Sequence, residues 1–267
     1  MSGEEVTQEV RPLAVVTGAS AGIGKVFCEK LAARGYDLLV VARDAARLER
    51  LKQELESRHG ISVDVFPADL TLDDDVSRLA GVIASSPRVT LLVNNAGFGT
   101  RGTLADASPA RQEAMLRLHT LTPMRLTQAV LPVLLKNNRG AIVNVSSVAS
   151  FLFSAGNVNY CATKAFLTTF TEGLAAELRG TNVRAQALCP GFTRSEFHER
   201  MEISVDHLPK WMWMSAEQVV EASLRALERG RPVVCVPGLR YKLIVFLLRL
   251  APRGLIRRLA TLRERPV

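Results

Sequence analysis

The sequence predicts a single α/β domain built on a doubly wound parallel sheet. Three observations carry this. Apolar runs of strand length alternate with helical patterns between residues 13 and 236. Most of those runs are unbroken by polar residues, as expected of strands buried on both faces. The residues best suited to chemistry fall just after the runs, where sheets of this kind bind ligands.

The bulk properties fit. A chain of 267 residues suits one domain and can bury a sizeable core, and 48% hydrophobic residues exclude disorder. No apolar run reaches 18 residues, so no spanning helix is expected. Met1 to Arg11 is polar and reads as a short disordered lead-in, not a secretory signal. The four cysteines are scattered without a CxxC pair, which points to a reduced, cytoplasmic protein with no structural metal. The net charge is +8, of which +7 falls between Arg240 and Val267. The basic character therefore describes a tail and gives no reason to invoke nucleic acid.

Leu13 to Thr17 is the first strand. It enters Gly18-Ala-Ser20-Ala-Gly22-Ile23-Gly24, after which a helix runs to Arg34 and stops at Gly35. Strand, glycine-rich turn and helix together place an anion against free backbone N–H groups at a helix N-terminus. Asp37 to Ala42 is the second strand and ends at Arg43. An acid at the end of this strand would bond a ribose 2′-hydroxyl, whereas an arginine can pair with a 2′-phosphate; the position therefore favours NADP(H) over NAD(H), with Ser20 a candidate helper. Otherwise Arg43 is a solvated helix-start residue.

Asp44 is a plausible N-cap for a helix reaching about His59. Ser62 to Phe66 is a third strand, followed by Ala68-Asp69-Leu70; Asp69 could meet an adenine amino group or cap the helix Asp73 to Ala84. Thr90 to Asn94 is a fourth strand and runs into Asn95-Ala96-Gly97. Ser108 to Asn138 is helical, with Pro123 and Pro132 interrupting the pattern, so it kinks or divides. Ala141 to Ser146 is a fifth strand, leading to Ser147. The helix Ala155 to Arg179 carries Tyr160 and Lys164 four residues apart, hence on one face. A cation beside a phenol lowers its pKa from near ~10, which would let Tyr160 exchange a proton near neutrality. Val183 to Leu188 is a sixth strand ending in Cys189-Pro190-Gly191-Phe192-Thr193, Ala216 to Arg229 a helix, and Pro232 to Val236 a seventh strand.

Five segments in this order resemble the short-chain dehydrogenase/reductase family. They are Thr17 to Gly24, Asn94-Asn-Ala-Gly97, Val145-Ser-Ser147, Tyr160-Cys-Ala-Thr-Lys164 and Pro190-Gly-Phe-Thr193. The tail and the Trp/Met segment before it resemble the family's ketoacyl-reductase-like members more than its sugar-specific ones. The resemblance spans about residues 12 to 240. It implies a Rossmann-like fold, a nicotinamide cofactor and oxidoreductase activity. It also implies roles. Tyr160 is the acid/base; Lys164 lowers its pKa and bonds the nicotinamide ribose; Ser147 orients the carbonyl, while Ser146 is structural. Gly18, Ser20, Gly22, Ile23 and Gly24 line the pyrophosphate and adenosine side, Asp69 and Leu70 flank adenine, and Asn95 lies against the adenosine ribose. Pro190, Gly191 and Thr193 cover the nicotinamide end.

One position departs from the family. Where it has an asparagine in a proton relay, this chain reads His119-Thr-Leu-Thr-Pro123. Either His119 holds the relay water or shuttles protons itself, since imidazole titrates near neutrality, or the relay is weakened and the chain turns over slowly or serves as an NADP(H)-binding pseudoenzyme.

Residues 194 to 215 read as a substrate-covering segment. Its Trp211, Trp213 and methionines suggest a lipophilic ketone or alcohol, or else simply pack on the core. The tail, 240 to 267, alternates apolar residues and arginines. That suits peripheral contact with an anionic membrane, a cap on the pocket or a subunit interface. Family members form homodimers or homotetramers, and the same is expected here.

Overall fold

The computed structural model describes residues 11–100, 102–194, 209–252 and 254. Seven strands form one sheet: β1 (Leu13–Thr17), β2 (Asp37–Ala42), β3 (Val63–Pro67), β4 (Val89–Asn94), β5 (Gly140–Val145), β6 (Val183–Leu188) and β7 (Val234–Cys235). Their order is β3-β2-β1-β4-β5-β6-β7, and every pairing is parallel. The order reverses between β1 and β4, which opens a crevice beyond the carboxyl ends of those two strands.

The unbroken apolar runs have a simple cause. Ala14, Val16, Leu38 and Val40 face one core, packed by α1 (Gly22–Ala32), α2 (Ala45–His59) and the helix Ala216–Glu228. Leu13, Val15, Leu39 and Val41 face a second core, under α3 (Asp73–Ser85), α5 (Thr122–Lys136) and α6 (Val158–Glu177). Alternate residues point to opposite faces and both faces are covered, so the middle of these strands is apolar at every position. Asp44 caps α2 by accepting the Arg47 N–H at 3.0 Å, and Gly60, at φ 60°, closes it. β7 is shorter than the expected Pro232 to Val236, because Pro232 has no N–H to give a ladder.

The long helical stretch divides into α4 (Pro109–Leu116), a π-helical turn (Arg117–Leu121) and α5. Pro123 cannot close a bond onto the carbonyl four residues back, that of His119, and the chain widens there: the Thr122 N–H reaches Arg117 O instead. Pro132 lies inside α5 without dividing it. After α7 (Ala216–Glu228, capped by Ser215 and Gln218) and β7, the chain ends its described part in α8, Leu239–Leu250. Among the described residues, no helix is long and apolar enough to cross a membrane.

Candidate active site

The end of β1 is stitched to the end of β4. The Thr17 hydroxyl donates to Val93 O at 3.2 Å and accepts the N–H groups of Asn95 and Ala96 at 2.9 and 3.0 Å. The Asn95 carboxamide donates to Thr17 O and Gly18 O at 2.9 and 3.2 Å, so this side chain braces the glycine turn. The position of Gly24 leaves no room for a side chain: a Cβ there would sit 2.2 Å from Gly18 O. Gly18 and Gly22, at φ 67° and 55°, supply the left-handed bends. α1 then starts with no side-chain cap and no acid in its first turn. Its first N–H groups are left to an anion, with Ser20 and Ile23 beside them. These features fit a dinucleotide pyrophosphate.

Arg43 is 73% exposed and only loosely paired with Asp69, at 3.9 Å. It is thus available to a phosphate at the end of β2. Asp69 shapes its own turn, accepting the Thr71 N–H at 3.0 Å and the Thr71 hydroxyl at 2.7 Å. Leu70 is buried, and its carbonyl accepts the Thr122 hydroxyl at 2.7 Å.

At the end of β5 the contacts are of another kind. Ser147 caps the 3-10 turn Val148–Phe151, its Oγ accepting the Ala149 N–H at 3.1 Å, and its hydroxyl is hydrogen-bonded to Tyr160. Lys164 is 5% exposed; its Nζ donates to Val145 O at 2.9 Å and lies 5.7 Å from the centre of the Tyr160 ring. Ser146 is buried and holds Lys164 O at 2.9 Å and the Thr168 hydroxyl at 2.8 Å, a structural part. Burial pushes Lys164 down to about 8. Burial also pushes Tyr160 up to about 12, against the pull of the Ser147 hydrogen bond. This runs against the expected lowering of the tyrosine: desolvation outweighs the Ser147 hydrogen bond, and the Lys164 ammonium is spent on the Val145 carbonyl. Tyr160 is therefore a protonated acid at neutral pH, and Lys164 is still largely a cation.

His119 is 1% exposed on the π turn. Its Nε2 accepts the Phe98 N–H at 3.2 Å, and its Nδ1 lies 3.0 Å from the Thr163 hydroxyl. Burial first, and the Lys164 charge second, hold its pKa well below the usual histidine range. With both nitrogens engaged and the ring uncharged, the expected proton shuttle lacks a free nitrogen in this geometry.

The loop after β6 completes the crevice. Pro190 O accepts the Val148 N–H at 3.0 Å, and the Thr193 hydroxyl donates to Gly191 O at 3.0 Å. Phe192 and Arg194 pair with Met214 through two backbone bonds, so both ends of the stretch between them are pinned together. Residues 195 to 208 of the proposed substrate-covering segment lie outside the described residues. Sequence reasoning missed Tyr241. Its hydroxyl accepts the Phe192 N–H at 3.0 Å and donates to Met212 O at 2.6 Å, and its ring covers Gly191 so closely that a Cβ there would overlap it. The available signal was Tyr241 and Val245, four residues apart on the face of α8 opposite Leu239 and Leu243.

A phosphate turn and a Ser–Tyr–Lys cluster, its lysine buried and its serine and tyrosine partly so, lie at the carboxyl ends of one sheet and define a nucleotide-binding α/β protein equipped for proton transfer. The chain belongs to the short-chain dehydrogenase family, whose model matches residues 12–204. It is similar to an uncharacterized oxidoreductase of Myxococcus xanthus, 32% identical over 225 residues, which are 84% of this chain and 87% of that protein. Among solved structures, it is similar to a short-chain dehydrogenase from Sphingobium yanoikuyae in complex with NADPH: 34% identity, TM-score 0.83, covering 92% of this chain and 95% of that one. It also resembles the bulky-bulky ketone specific alcohol dehydrogenase from Comamonas testosteroni: 32% identity, TM-score 0.79, covering 92% and 94%.

Proposed function

We propose that this chain is an NADP(H)-dependent oxidoreductase that interconverts a lipophilic ketone and its secondary alcohol. The observation that carries the reading is the Ser147–Tyr160–Lys164 cluster at the carboxyl end of β5, on the same sheet edge as the glycine turn after β1. Bound NADP(H) supplies or accepts the hydride. Gly18, Ser20, Gly22, Ile23 and Gly24 hold the pyrophosphate side, Arg43 the 2′-phosphate, Asp69 and Leu70 the adenine, and Asn95 the neighbourhood of the adenosine ribose. Pro190, Gly191 and Thr193 hold the nicotinamide end, and Lys164 and Tyr160 its ribose. Ser147 orients the substrate carbonyl. Tyr160, protonated at neutral pH, gives its proton to the carbonyl oxygen, and the phenolate that results is stabilised by the Lys164 cation and the Ser147 hydroxyl. The Ser147–Tyr160–Lys164 cluster favours turnover over the non-catalytic alternative, which rests on His119 standing where the family has its relay asparagine. The NADPH complex of the Sphingobium protein supports the cofactor, and the ketone named for the Comamonas enzyme supports a bulky ketone substrate. NADPH consumption against a panel of aryl, steroid and acyl-thioester ketones is the test. Turnover of bulky apolar ketones is expected; turnover confined to small polar carbonyls would overturn the substrate class.

We further propose a cytoplasmic protein in peripheral contact with a lipid surface. Leu239, Leu243, Phe246, Leu247 and Leu250 form one stripe of α8, each 56 to 83% exposed, while Tyr241 and Val245 face inward. The stripe adjoins the strongly basic tail, which suits anionic lipid. Co-sedimentation with phosphatidylserine vesicles, lost in the double variant Leu243→Glu, Phe246→Glu, is expected; equal weak binding by both proteins would end the idea. Exposed Leu116, Leu121 and Leu135 on the π-interrupted helix support a homodimer or homotetramer, which light scattering of the purified chain tests against a monomer.

A further inference from the structure

We infer that His119 is a neutral positioning residue that ties the crevice loop after β4 to the first turns of α6, and that it carries no proton during turnover. The directions of its hydrogen bonds set the ring's state. A backbone N–H can only donate, so Phe98 fixes Nε2 as the acceptor. The proton of the neutral ring then lies on Nδ1 and goes to the Thr163 hydroxyl. Thr163 in turn donates its own hydrogen to Tyr160 O at 2.9 Å. Four groups form a single directed chain, from the Phe98 amide through His119 and Thr163 to the carbonyl of Tyr160. A proton on Nε2 would leave the Phe98 N–H unpaired beside a buried ring. Protonating Nε2 as well as Nδ1 would also place a second cation near Lys164, and the titratable groups against the ring, Lys164 and Tyr160 as its phenol, offer no negative charge in return.

The surroundings suit a tie. The ring stands edge-on to Tyr160, centres 5.8 Å apart, and tilted against Phe98 at 6.2 Å. Gly97 opens the slot, since a Cβ there would come 2.9 Å from Nε2. α6 itself begins without a capping side chain at Asn157. Its first turns are held from outside, by the Asn159 carboxamide on Gln112 O at 3.2 Å and by the histidine chain. A shorter side chain at 119 would release the histidine hold, at the turn that carries the acid.

The inference rests on Tyr160 being that acid, so its test has one arm that needs no turnover. In the full-length protein, labelled with nitrogen-15 histidine and assigned by comparison with His119→Asn, His119 is expected as the Nδ1–H tautomer throughout pH 5.5–8. A titration within that range, or an Nε2–H tautomer, would overturn the tie even if the enzyme works. In the kinetic arm, His119→Leu should lower kcat about ten- to hundredfold with the KM for NADPH kept. His119→Gln, which retains a donor and an acceptor, should recover part of the loss, and adding Thr163→Val to His119→Leu should cost nothing further. Additive losses in the double variant, or rescue of His119→Leu by added imidazole, would show a proton carrier instead. Absence of turnover in the wild type would remove the proposed reaction but leave the tautomer result standing.

Discussion

At the carboxyl ends of β1 and β2 the site consists of backbone N–H groups and one solvated arginine. At the ends of β4 and β5 it consists of enclosed side chains, each committed to a named partner. Arg43 is 73% exposed with a partner at 3.9 Å, whereas Lys164 is 5% exposed with a partner at 2.9 Å. The difference follows from the work of each end. A phosphate brings its own charge and needs only donors in a fixed arc. A proton transfer needs pKa values set by desolvation, and desolvated groups cannot be left unpaired. The first end should therefore lose affinity by degrees when altered, and the second should lose chemistry abruptly.

The largest effect is expected at Tyr160→Phe, which removes the acid and little else. Steady-state turnover should fall about 10²–10⁴-fold.

Lys164→Met comes next, with a loss of about 10²-fold in kcat. Because the buried lysine is pushed down to about 8 from 10.5, the unfolded chain holds its proton more tightly than the folded one. The cost of burying the ammonium is thus fully present below about pH 8 and is relieved as pH rises toward 10.5. Thermal melts should show Lys164→Met gaining on the wild type at pH 7 and losing that advantage by pH 10. For the same reason, carbonyl reduction by the wild type should decline as pH climbs through about 8, with no inflection near 6.5, since His119 stays neutral there.

Gly24→Ala crosses the comparison, because here the binding end is packed as tightly as the chemical one. The new methyl would meet Gly18 O, and a loss of about 1–3 kcal/mol in stability is expected from denaturant unfolding. The smallest effect is that of Arg43→Ala. It should shift the NADPH over NADH preference about tenfold, less at high salt, as a solvated ion pair would.

The same contrast explains what the sequence could show. Strand positions were legible because burial on both faces favours unbroken apolar runs, as at residues 13–16 and 38–42. The phosphate end was legible because glycine and arginine act through local geometry. The chemical end was legible only as residue types. His119 was visible as a departure, but its partners lie 21 and 44 residues away, and one of them is a backbone amide. Tyr241 lay undistinguished in a tail read as a membrane contact, a pocket cap or an interface, although its hydroxyl holds the crevice loop. The upward shift of Tyr160 depends on desolvation, and no spacing of letters reports that.

The division of labour between the two ends is tested most directly by measuring the NADPH dissociation constant and single-turnover ketone reduction in both Arg43→Ala and Tyr160→Phe. A crossed pattern is expected: weaker binding with chemistry retained in the first, and unchanged binding with chemistry lost in the second. Binding and chemistry falling together in both variants, or Tyr160→Phe reducing ketone at the wild-type rate, would contradict it.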